Sequence, residues 1–302
     1  MNMQTDQVSP EEYFAAAHLE HYAIEDATPA LRIFGASGPA LIFIHGFPTH
    51  GYTWRKLLPE LAKTFRCYVV DLPGMGDSDW GRDTDFTFTR QVHRLTLLFN
   101  HELGLTNYHV VAHDTGATIA RMLTLANPGR VGRLIAFNTE IPNHRPPWIE
   151  FYQSFASLPG AIPALRLALR SKHLQRSGAG FGQLYTNKNL LQDPEYLRPY
   201  LDPVLQSARR MEGFLRYLSG IEWDVIDRFE QTHKDIEAET LFLWGENDKT
   251  FPVGEARKML PQLSAPTELR TFNASLLPHE ERASEVLECM QEFLGRDETP
   301  PQ

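Results

Sequence analysis

The sequence predicts an α/β fold: a mostly parallel central sheet flanked by helices, with a helical cap inserted into it. Short apolar runs, typical of buried strands, alternate with amphipathic helical segments over residues 40–138 and again over residues 238–295. Parallel strands need long crossover connections, which helices usually provide, so this alternation favours a parallel sheet. The residues between these two parts have helical spacing without strand-like alternation, which indicates an inserted helical segment.

Each predicted element follows from a local pattern. Apolar runs bounded by turn residues predict strands, and apolar residues spaced three and four apart predict helices. In chain order, the predicted strands are residues 18–25, 29–34, 40–44, 66–71, 108–112, 133–138, 238–245 and 267–273. The predicted helices are residues 54–65, 88–103, 117–126, 150–155, 161–174, 194–201, 203–218, 254–263 and 283–295.

The same patterns divide the chain into three parts. A proline-rich stretch at residues 141–148 ends the first run of alternating strands and helices. We therefore predict an N-terminal tail (residues 1–17), a core domain (residues 18–145 and 233–298) and a helical cap domain (residues 146–232).

The composition is that of an acidic globular protein. With 302 residues, 42% of them hydrophobic, the chain can bury a large core, and a net charge of −9 argues against nucleic acid and anionic membranes as partners. The polar N-terminus has no signal-peptide pattern, no apolar run reaches the length of a membrane span, and two cysteines form no metal motif. We expect a cytoplasmic protein with no cofactor and no metal; the composition leaves a homo-oligomer open.

Residues 108–117 contain the most informative local pattern. A buried strand breaks at a tight turn into a helix, and Asp114 lies at the apex of this turn. A strand–turn–helix with a reactive apical side chain is a nucleophile elbow, whose crowded backbone requires small neighbours such as Ala112 and Gly116. Since the apical residue is an aspartate, its carboxylate would attack directly and form an ester with the substrate. The alternative is a helix-capping role for Asp114.

Four motifs in a fixed order carry a family resemblance. They are His-Gly-Phe-Pro at residues 45–48, the glycine-rich loop at residues 71–78, His-Asp-Thr-Gly at residues 113–116 and Leu-Trp-Gly-Glu-Asn-Asp at residues 243–248. Together they resemble the α/β-hydrolase superfamily, specifically the branch with an aspartate nucleophile. That branch includes epoxide hydrolases, haloalkane dehalogenases and haloacetate dehalogenases. The resemblance extends from about residue 30 to residue 294 and is weakest in the cap.

The resemblance implies roles for particular residues. The backbone N–H groups of Phe47 and Thr115 would form the oxyanion hole, and His113 would lie in the substrate pocket. Asp248 would be the acid that orients the catalytic base, with Glu140 as its rival because some dehalogenases carry the acid there. An Asx-turn is the structural alternative for Asp248.

The catalytic base is where the sequence departs from the family pattern. The family has Gly-His a few residues after the last strand, and here Ser275 lies near the expected histidine. His279 lies four residues later, is the only histidine after Asp248, and keeps the chain order of nucleophile, acid and histidine. We therefore predict His279 as the base; a role in capping the final helix is the alternative.

The residues that would bind the leaving group or the substrate distinguish a halide from an epoxide. Haloalkane dehalogenases commonly carry a tryptophan at the position of Thr115 and an asparagine at that of Phe47, and haloacetate dehalogenases carry arginines at Thr115 and Thr118. The chain has none of these. Epoxide hydrolases instead use two cap tyrosines as acids, and residues 213–218 resemble the segment that carries the second of them.

The two tyrosine positions of epoxide hydrolases correspond to particular residues of the predicted cap. Tyr217 matches the second tyrosine, whereas Phe155 occupies the position of the first and Tyr152 lies one helical turn earlier. Trp148 at the cap entrance is able to donate its N–H to a halide. The sequence thus favours hydrolysis of a small apolar epoxide, with a dehalogenase as the alternative. If Ser275 marks a lost base, a catalytically impaired ligand-binding protein is the alternative from another class.

Overall fold

The computed structural model describes residues 8–156, 158–193 and 195–296. Residues 1–7 of the predicted tail, the first residue of the helix predicted at 194–201, and residues 297–298 of the predicted core lie outside the described residues. The division into tail, core and cap domains stays a prediction.

The central sheet has eight strands and confirms the predicted fold class. Its order is β1-β3-β5-β4-β7-β8-β9-β10; the five pairs from β5 to β10 are parallel, and β3 pairs antiparallel with both β1 and β5. A separate antiparallel pair joins β2 and β6. The strands are β1 (Leu19–His21), β2 (Ala27–Thr28), β3 (Ala30–Phe34), β4 (Ala40–Ile44), β5 (Arg66–Asp71), β6 (Asp79–Trp80), β7 (Tyr108–His113), β8 (Val131–Phe137), β9 (Glu239–Gly245) and β10 (Thr267–Phe272).

Helices cover both faces of this sheet and fill the segment between β8 and β9. Short 3₁₀ helices and one π-helical turn (Leu97–Glu102) supplement them. Among the described residues, no helix combines the length and the apolar character that crossing a bilayer requires. The α-helices are α1 (Pro10–Ala15), α2 (Leu58–Leu61), α3 (Phe88–Thr96), α4 (Thr115–Ala126), α5 (Pro147–Ala156), α6 (Ala161–Ala168), α7 (Lys172–Arg176), α8 (Arg198–Leu205), α9 (Ala208–Ser219), α10 (Trp223–Thr232), α11 (Val253–Met259), α12 (Pro278–Glu281) and α13 (Ala283–Leu294).

The sheet is buried on both faces, which explains why its strands read as continuous apolar runs. In β4, Ile42 and Ile44 contact one core cluster, whereas Leu41 and Phe43 contact the cluster on the opposite face. The side chains of a strand point alternately to its two faces, so a strand covered on both sides needs apolar residues at every position.

The helices between β8 and β9 differ in detail from the predicted ones. The helix predicted at 203–218 is two helices, because Pro203 lies inside α8 and the Ser207 hydroxyl caps α9 by accepting from the N–H of Arg210 at 3.1 Å. The helix predicted at 161–174 is likewise divided, with Ser171 capping α7. Helix α10 was not predicted. Serine at each break is a typical N-cap residue, a local signal that outweighs helical periodicity.

The turn between β7 and α4 has the strained geometry expected of an elbow. Asp114 has φ of 53° and ψ of −133°, a region that L-residues rarely adopt. The turn also packs directly on the loop after β4, since a Cβ atom at Gly116 would lie 2.1 Å from the carbonyl oxygen of His45. A side chain at this position therefore requires the backbone of one loop to move.

We expect Gly116→Ala to destabilise the fold by about 1–3 kcal/mol, the usual range for overpacking a rigid site. Urea unfolding of the variant and the parent measures this difference. Gly254→Ala is the matched control: it lies in the first turn of α11 with open space where the Cβ would be, so it should leave stability equal or slightly higher. Equal stability of Gly116→Ala and the parent would contradict the close packing.

Candidate functional site

The candidate site lies at the carboxyl edge of the parallel strands, where ligands bind in open α/β sheets. The loop after β4 contributes Phe47, the elbow after β7 contributes Asp114, and the segment after β8 contributes Glu140. All three line one cavity beneath the helices inserted between β8 and β9.

Backbone N–H groups hold the Asp114 carboxylate. Its Oδ1 accepts from the N–H of Phe47 at 2.9 Å, and the adjacent backbone N–H of Thr115 favours the ionised form of this carboxylate by lowering its pKa. The main chain of Asp114 is fixed as well, since its own N–H donates to the carbonyl of Asn138 at 2.9 Å and its carbonyl accepts from the Thr139 hydroxyl at 2.9 Å. The two donors predicted for an oxyanion hole thus converge on this carboxylate, and their catalytic role is a proposal.

Two buried acids share this environment. Burial raises the pKa of Asp114 well above its ordinary value, and the nearby Glu140 carboxyl raises it further, whereas the N–H groups of Thr115 and Phe47 oppose the increase. Burial also raises the pKa of Glu140, and its bonds from Thr118 and the charge of Arg121 oppose this. Because one negative charge disfavours a second nearby, ionisation of one of these carboxyls raises the pKa of the other.

The cavity has a volume of about 250 Å³, slightly below the roughly 300–1,000 Å³ typical of sites for drug-sized ligands. Most of its lining side chains are aliphatic or aromatic; among the described residues that line it, Asp114 and Glu140 are the only carboxylates and no histidine is present. Such a cavity suits a small apolar molecule. The predicted pocket residues Trp148 and Phe155 line it, as do Tyr152 and Leu276.

The two predicted tyrosines have their hydroxyls bonded to the protein. The Tyr217 hydroxyl lies 2.9 Å from Thr115 Oγ1, which is 3.0 Å from the N–H of Phe47, and Tyr217 is not among the cavity-lining residues. The Tyr152 hydroxyl donates to the carbonyl of Ala179 at 2.9 Å. Tyr217 therefore supports the loop that holds Asp114, while Tyr152 ties two inserted segments together. Neither geometry matches the predicted proton donor to an epoxide.

Asp248 lies just after β9, and its carboxylate partners are not histidines. Its Oδ2 accepts from Asn138 Nδ2 at 2.8 Å, and its Oδ1 accepts from the N–H of Thr250 at 2.8 Å. Burial raises its pKa to about 6, although both hydrogen bonds act in the opposite direction. The Asn138 side chain also accepts from the N–H of Gly245 at 2.7 Å, so it joins the ends of β8 and β9. Asn138 was not singled out from the sequence.

His279 does not have the predicted placement. Its Nε2 lies 2.7 Å from Thr53 Oγ1 and its ring stacks on Trp54, with ring centroids 4.6 Å apart. It is fully buried, lines no part of the cavity, and makes no hydrogen bond to Asp114 or Asp248 within the described ranges. The reason is local: Pro278 starts helix α12, so His279 lies in a helical turn rather than in the loop at the strand ends.

His113 also lies outside the cavity, which corrects its assignment to the substrate pocket. Its Nδ1 accepts from the N–H of Gly46 at 3.1 Å, and its ring lies edge-on to His279 with centroids 5.0 Å apart. In β7 the side chains alternate, so His113 and Val111 share the face opposite to that of Val110 and Ala112. Burial lowers the pKa values of both histidines, that of His279 to about 3, so both rings are neutral near pH 7.

The tautomers of these two rings follow from their partners. Thr53 Oγ1 lies 3.1 Å from a Glu280 oxygen that only accepts, so the Thr53 proton points to Glu280 and Nε2–H of His279 donates to Thr53. His279 Nδ1 and His113 Nε2–H then remain as an acceptor and a donor without a hydrogen-bond partner in the part of the chain that the structure describes. His279 is thereby part of a buried network with Glu280, not of a triad with Asp248.

The segment after β10 places Leu276, the residue after Ser275, in the wall of the cavity. It lines the cavity with Asp114, whereas Ser275 does not, and the Ser275 hydroxyl donates to the carbonyl of Gln183 at 3.0 Å. Ser275 is therefore not the cavity-lining residue at this position. Pro278 in the sequence was a signal for a helix start at His279, but nothing in the sequence identified Leu276.

The neutral, buried state of His279 predicts how stability depends on pH. The pKa of His279 is about 3 in the folded protein against an ordinary value of 6.5. The contribution of its neutral form to the free energy of unfolding is therefore fully present above pH 6.5 and is lost as the pH falls from 6.5 towards 3. Replacing it by glutamine should remove about 1.4 kcal/mol per pH unit from the slope of unfolding free energy between about pH 6 and pH 4. Urea unfolding at several pH values measures this slope.

The exposed His101 provides the control, because His101→Gln should leave the slope unchanged. The other buried histidines keep their own contributions in both variants. An unaltered slope in His279→Gln would mean that His279 is not held neutral in the folded protein.

Comparisons with known proteins agree with this fold. Residues 39–282 match the family model for the alpha/beta hydrolase fold. The chain is 26% identical to epoxide hydrolase 3 of Xenopus tropicalis, over 94% of this chain and 80% of that protein. It is 32% identical to a haloalkane dehalogenase of Mycobacterium marinum, over 78% of this chain and 82% of that protein. The crystal structure of a hydrolase from Pseudomonas aeruginosa PA01 has the same fold, with a TM-score of 0.74 and 23% identity over 93% of this chain and all (100%) of that one. The chain therefore belongs to the α/β-hydrolase-fold family and is an enzyme of that fold, related to epoxide hydrolases and haloalkane dehalogenases.

Proposed function

We propose that this protein is a hydrolase of small apolar epoxides that acts through an ester formed on Asp114. The observation that carries the proposal is the position of this carboxylate: it lines an apolar cavity and is held by the N–H groups of Phe47 and Thr115. A carboxylate in this setting has two ready donors for the charge that develops when its ester is hydrolysed.

The proposed reaction has two halves. In the first, an oxygen of Asp114 attacks a carbon of the epoxide, and the ring C–O bond breaks. In the second, water attacks the carbonyl carbon of the ester, and the resulting oxyanion lies against the N–H groups of Phe47 and Thr115. The elbow favours this arrangement, because its backbone bonds fix Asp114 before the substrate binds.

The cavity supports the substrate class. A volume of about 250 Å³ and a mostly apolar lining favour an uncharged molecule of modest size. A substrate carboxylate would lie against two buried acids with no cation among the described lining residues, which argues against a haloacetate. The two unpaired cysteines, Cys67 and Cys289, support the proposal of a cytoplasmic location.

An epoxide needs an acid to protonate its oxygen, and the cavity offers the Glu140 carboxyl for this purpose. A haloalkane is the second candidate, because the indole of Trp148 also lines the cavity and its N–H has no hydrogen-bond partner in the described parts of the chain. An N–H donor in an apolar site is suited to stabilise a departing halide.

The central test is Asp114→Asn. We expect this variant to fold but to lose turnover of styrene oxide and of 1-bromobutane, because an amide oxygen is too weak a nucleophile to form the ester. Diol and bromide release measure turnover, and intact mass spectrometry detects the covalent adduct. Turnover in a variant shown by mass to remain asparagine would contradict the covalent mechanism.

The same assay separates the alternatives on the parent protein. Diol from styrene oxide without bromide from 1-bromobutane supports an epoxide hydrolase. Bromide without diol supports a haloalkane dehalogenase. One equivalent of adduct without further turnover identifies a catalytically impaired protein, for which Leu276 in the cavity provides a reason. Neither product nor adduct with a panel of epoxides and alkyl halides would overturn the proposed function.

Trp148→Phe distinguishes the two leaving groups. The variant keeps an aromatic ring but loses the N–H, so bromide release should fall about 10-fold or more, while diol formation should stay near the parental rate. Trp223→Phe is the control, because its indole N–H donates to Gln153 at 3.2 Å and does not line the cavity. Equal loss with both substrates would show that Trp148 acts through packing alone.

A further inference from the structure

We infer that Glu140 is the proton-transfer residue of this site and acts directly on substrate and water, in place of a histidine. The inference rests on the proposed ester on Asp114 and adds a second catalytic residue to it. It differs from the role of orienting a histidine that the sequence suggested for Glu140 as the rival of Asp248.

Among its described residues, the cavity lacks the histidine that usually serves as the base. The described residues that line it include no histidine, and His279 is buried on Thr53 and Trp54. Leu276 lies in the cavity and has no proton to exchange. An ester on Asp114 therefore has no imidazole within the cavity, so another group has to accept a proton from water.

The second observation is the environment of Glu140. It lines the cavity and is fully buried; its Oε2 accepts from the Thr118 hydroxyl at 2.6 Å, whereas its Oε1 has no partner among the described residues. A buried carboxyl oxygen without a partner is costly unless something else bonds to it. A substrate oxygen or a water molecule in the cavity supplies that bond.

Helix α4 holds the other side of this carboxyl in place. Arg121 is buried and donates to the carbonyl of Glu140 at 2.8 Å and to Thr118 Oγ1 at 2.9 Å. Its pKa is lowered to about 10 by burial, so it keeps its charge near neutral pH. Glu140 is thereby fixed on its Oε2 side, and Oε1 is the buried oxygen that has no hydrogen bond among the described residues.

The charged groups that face Glu140 act in opposite directions. Asp114 favours the protonated form of Glu140, and Arg121 favours the ionised form. Beyond Arg121 lies His233, whose pKa is lowered to about 3 by burial and which is therefore neutral. Burial and Asp114 thus favour the proton on Glu140, and once the ester has made Asp114 neutral, Arg121 favours its loss.

In the first half-reaction, Glu140 acts as the acid. An oxygen of the Asp114 carboxylate forms a bond to the epoxide carbon while the ring C–O bond breaks and its electron pair goes to the ring oxygen. The proton of the Glu140 carboxyl moves to that oxygen, which becomes a hydroxyl. Glu140 is left ionised, beside an Asp114 that the ester has made neutral.

The second half-reaction restores both residues. Water adds to the carbonyl carbon of the ester and gives one proton to Glu140, and the oxyanion accepts from Phe47 and Thr115. When the intermediate collapses, the ester C–O bond breaks, and the remaining proton of water goes to the departing diol oxygen. Asp114 is ionised again and Glu140 is protonated again, so water is the only reagent consumed.

The inference is tested with Glu140→Gln and the two substrates of different leaving group. An alkyl bromide needs no acid, so 1-bromobutane should still form the ester and release one equivalent of bromide, after which the adduct accumulates and turnover slows by ~10²–10⁴-fold. Styrene oxide should form the ester more slowly as well, because its ring oxygen has lost the proton donor. Glu150→Gln, an exposed residue of α5, is the control and should behave like the parent.

The outcomes separate this inference from the proposed function. If the parent makes product and Glu140→Gln hydrolyses its ester at the parental rate, the ester mechanism stands and the role of Glu140 is wrong. If the parent yields neither product nor adduct, the proposed function fails, and the inference fails with it.

A measurement on the parent protein covers the case in which Glu140→Gln does not fold. In single-turnover experiments, ester formation from styrene oxide should decline as the pH rises and Glu140 loses its proton, whereas ester formation from 1-bromobutane should show no such decline. The same pH dependence for both substrates, or none for either, would overturn the inference.

Discussion

The contact between two backbone turns is the constraint on which the site depends. Gly46 and Gly116 bring the loop after β4 against the elbow after β7, since a Cβ atom at Gly46 would lie 2.4 Å from the carbonyl oxygen of His113. Only at this separation does the N–H of Phe47 reach the carboxylate of Asp114. The strained φ of Asp114 is stabilised by the hydrogen bonds of its own main chain, so the rigidity of the elbow and the placement of its side chain have one cause.

Burying two carboxyls in one apolar cavity gives the site its chemical character. Burial raises the pKa values of both Asp114 and Glu140, and their mutual repulsion disfavours the state in which both are ionised. Ionisation of either carboxyl therefore makes ionisation of the other less favourable, and the proposed reaction, with one nucleophile and one acid, relies on this difference. The apolar lining maintains this balance, because water in the cavity would weaken the interaction between the two acids.

The histidine that the chain order pointed to is part of a structural cluster. Glu280, whose pKa the charges of Arg55 and its neighbours lower to about 2, accepts from the hydroxyls of Tyr196 and Tyr200 in the inserted segment. His279 joins this cluster through Thr53. The cluster therefore links the inserted segment to the core beside the candidate site. It gives His279 a structural role that does not involve Asp114 or Asp248.

The sequence by itself determined the fold class and the elbow at Asp114, because these follow from local patterns: apolar runs and small residues around a turn. The N–H donors of Phe47 and Thr115 were implied by the family resemblance of the motifs. The sequence did not determine the partner of His279, the free oxygen of Glu140 or the presence of Leu276 in the cavity. Those depend on which side chains from distant segments meet; the helix start at Pro278 is a local signal, but the contacts of His279 with Thr53 and Trp54 are not. Only tertiary packing decides such contacts, since residues far apart in the chain have no local pattern that relates them.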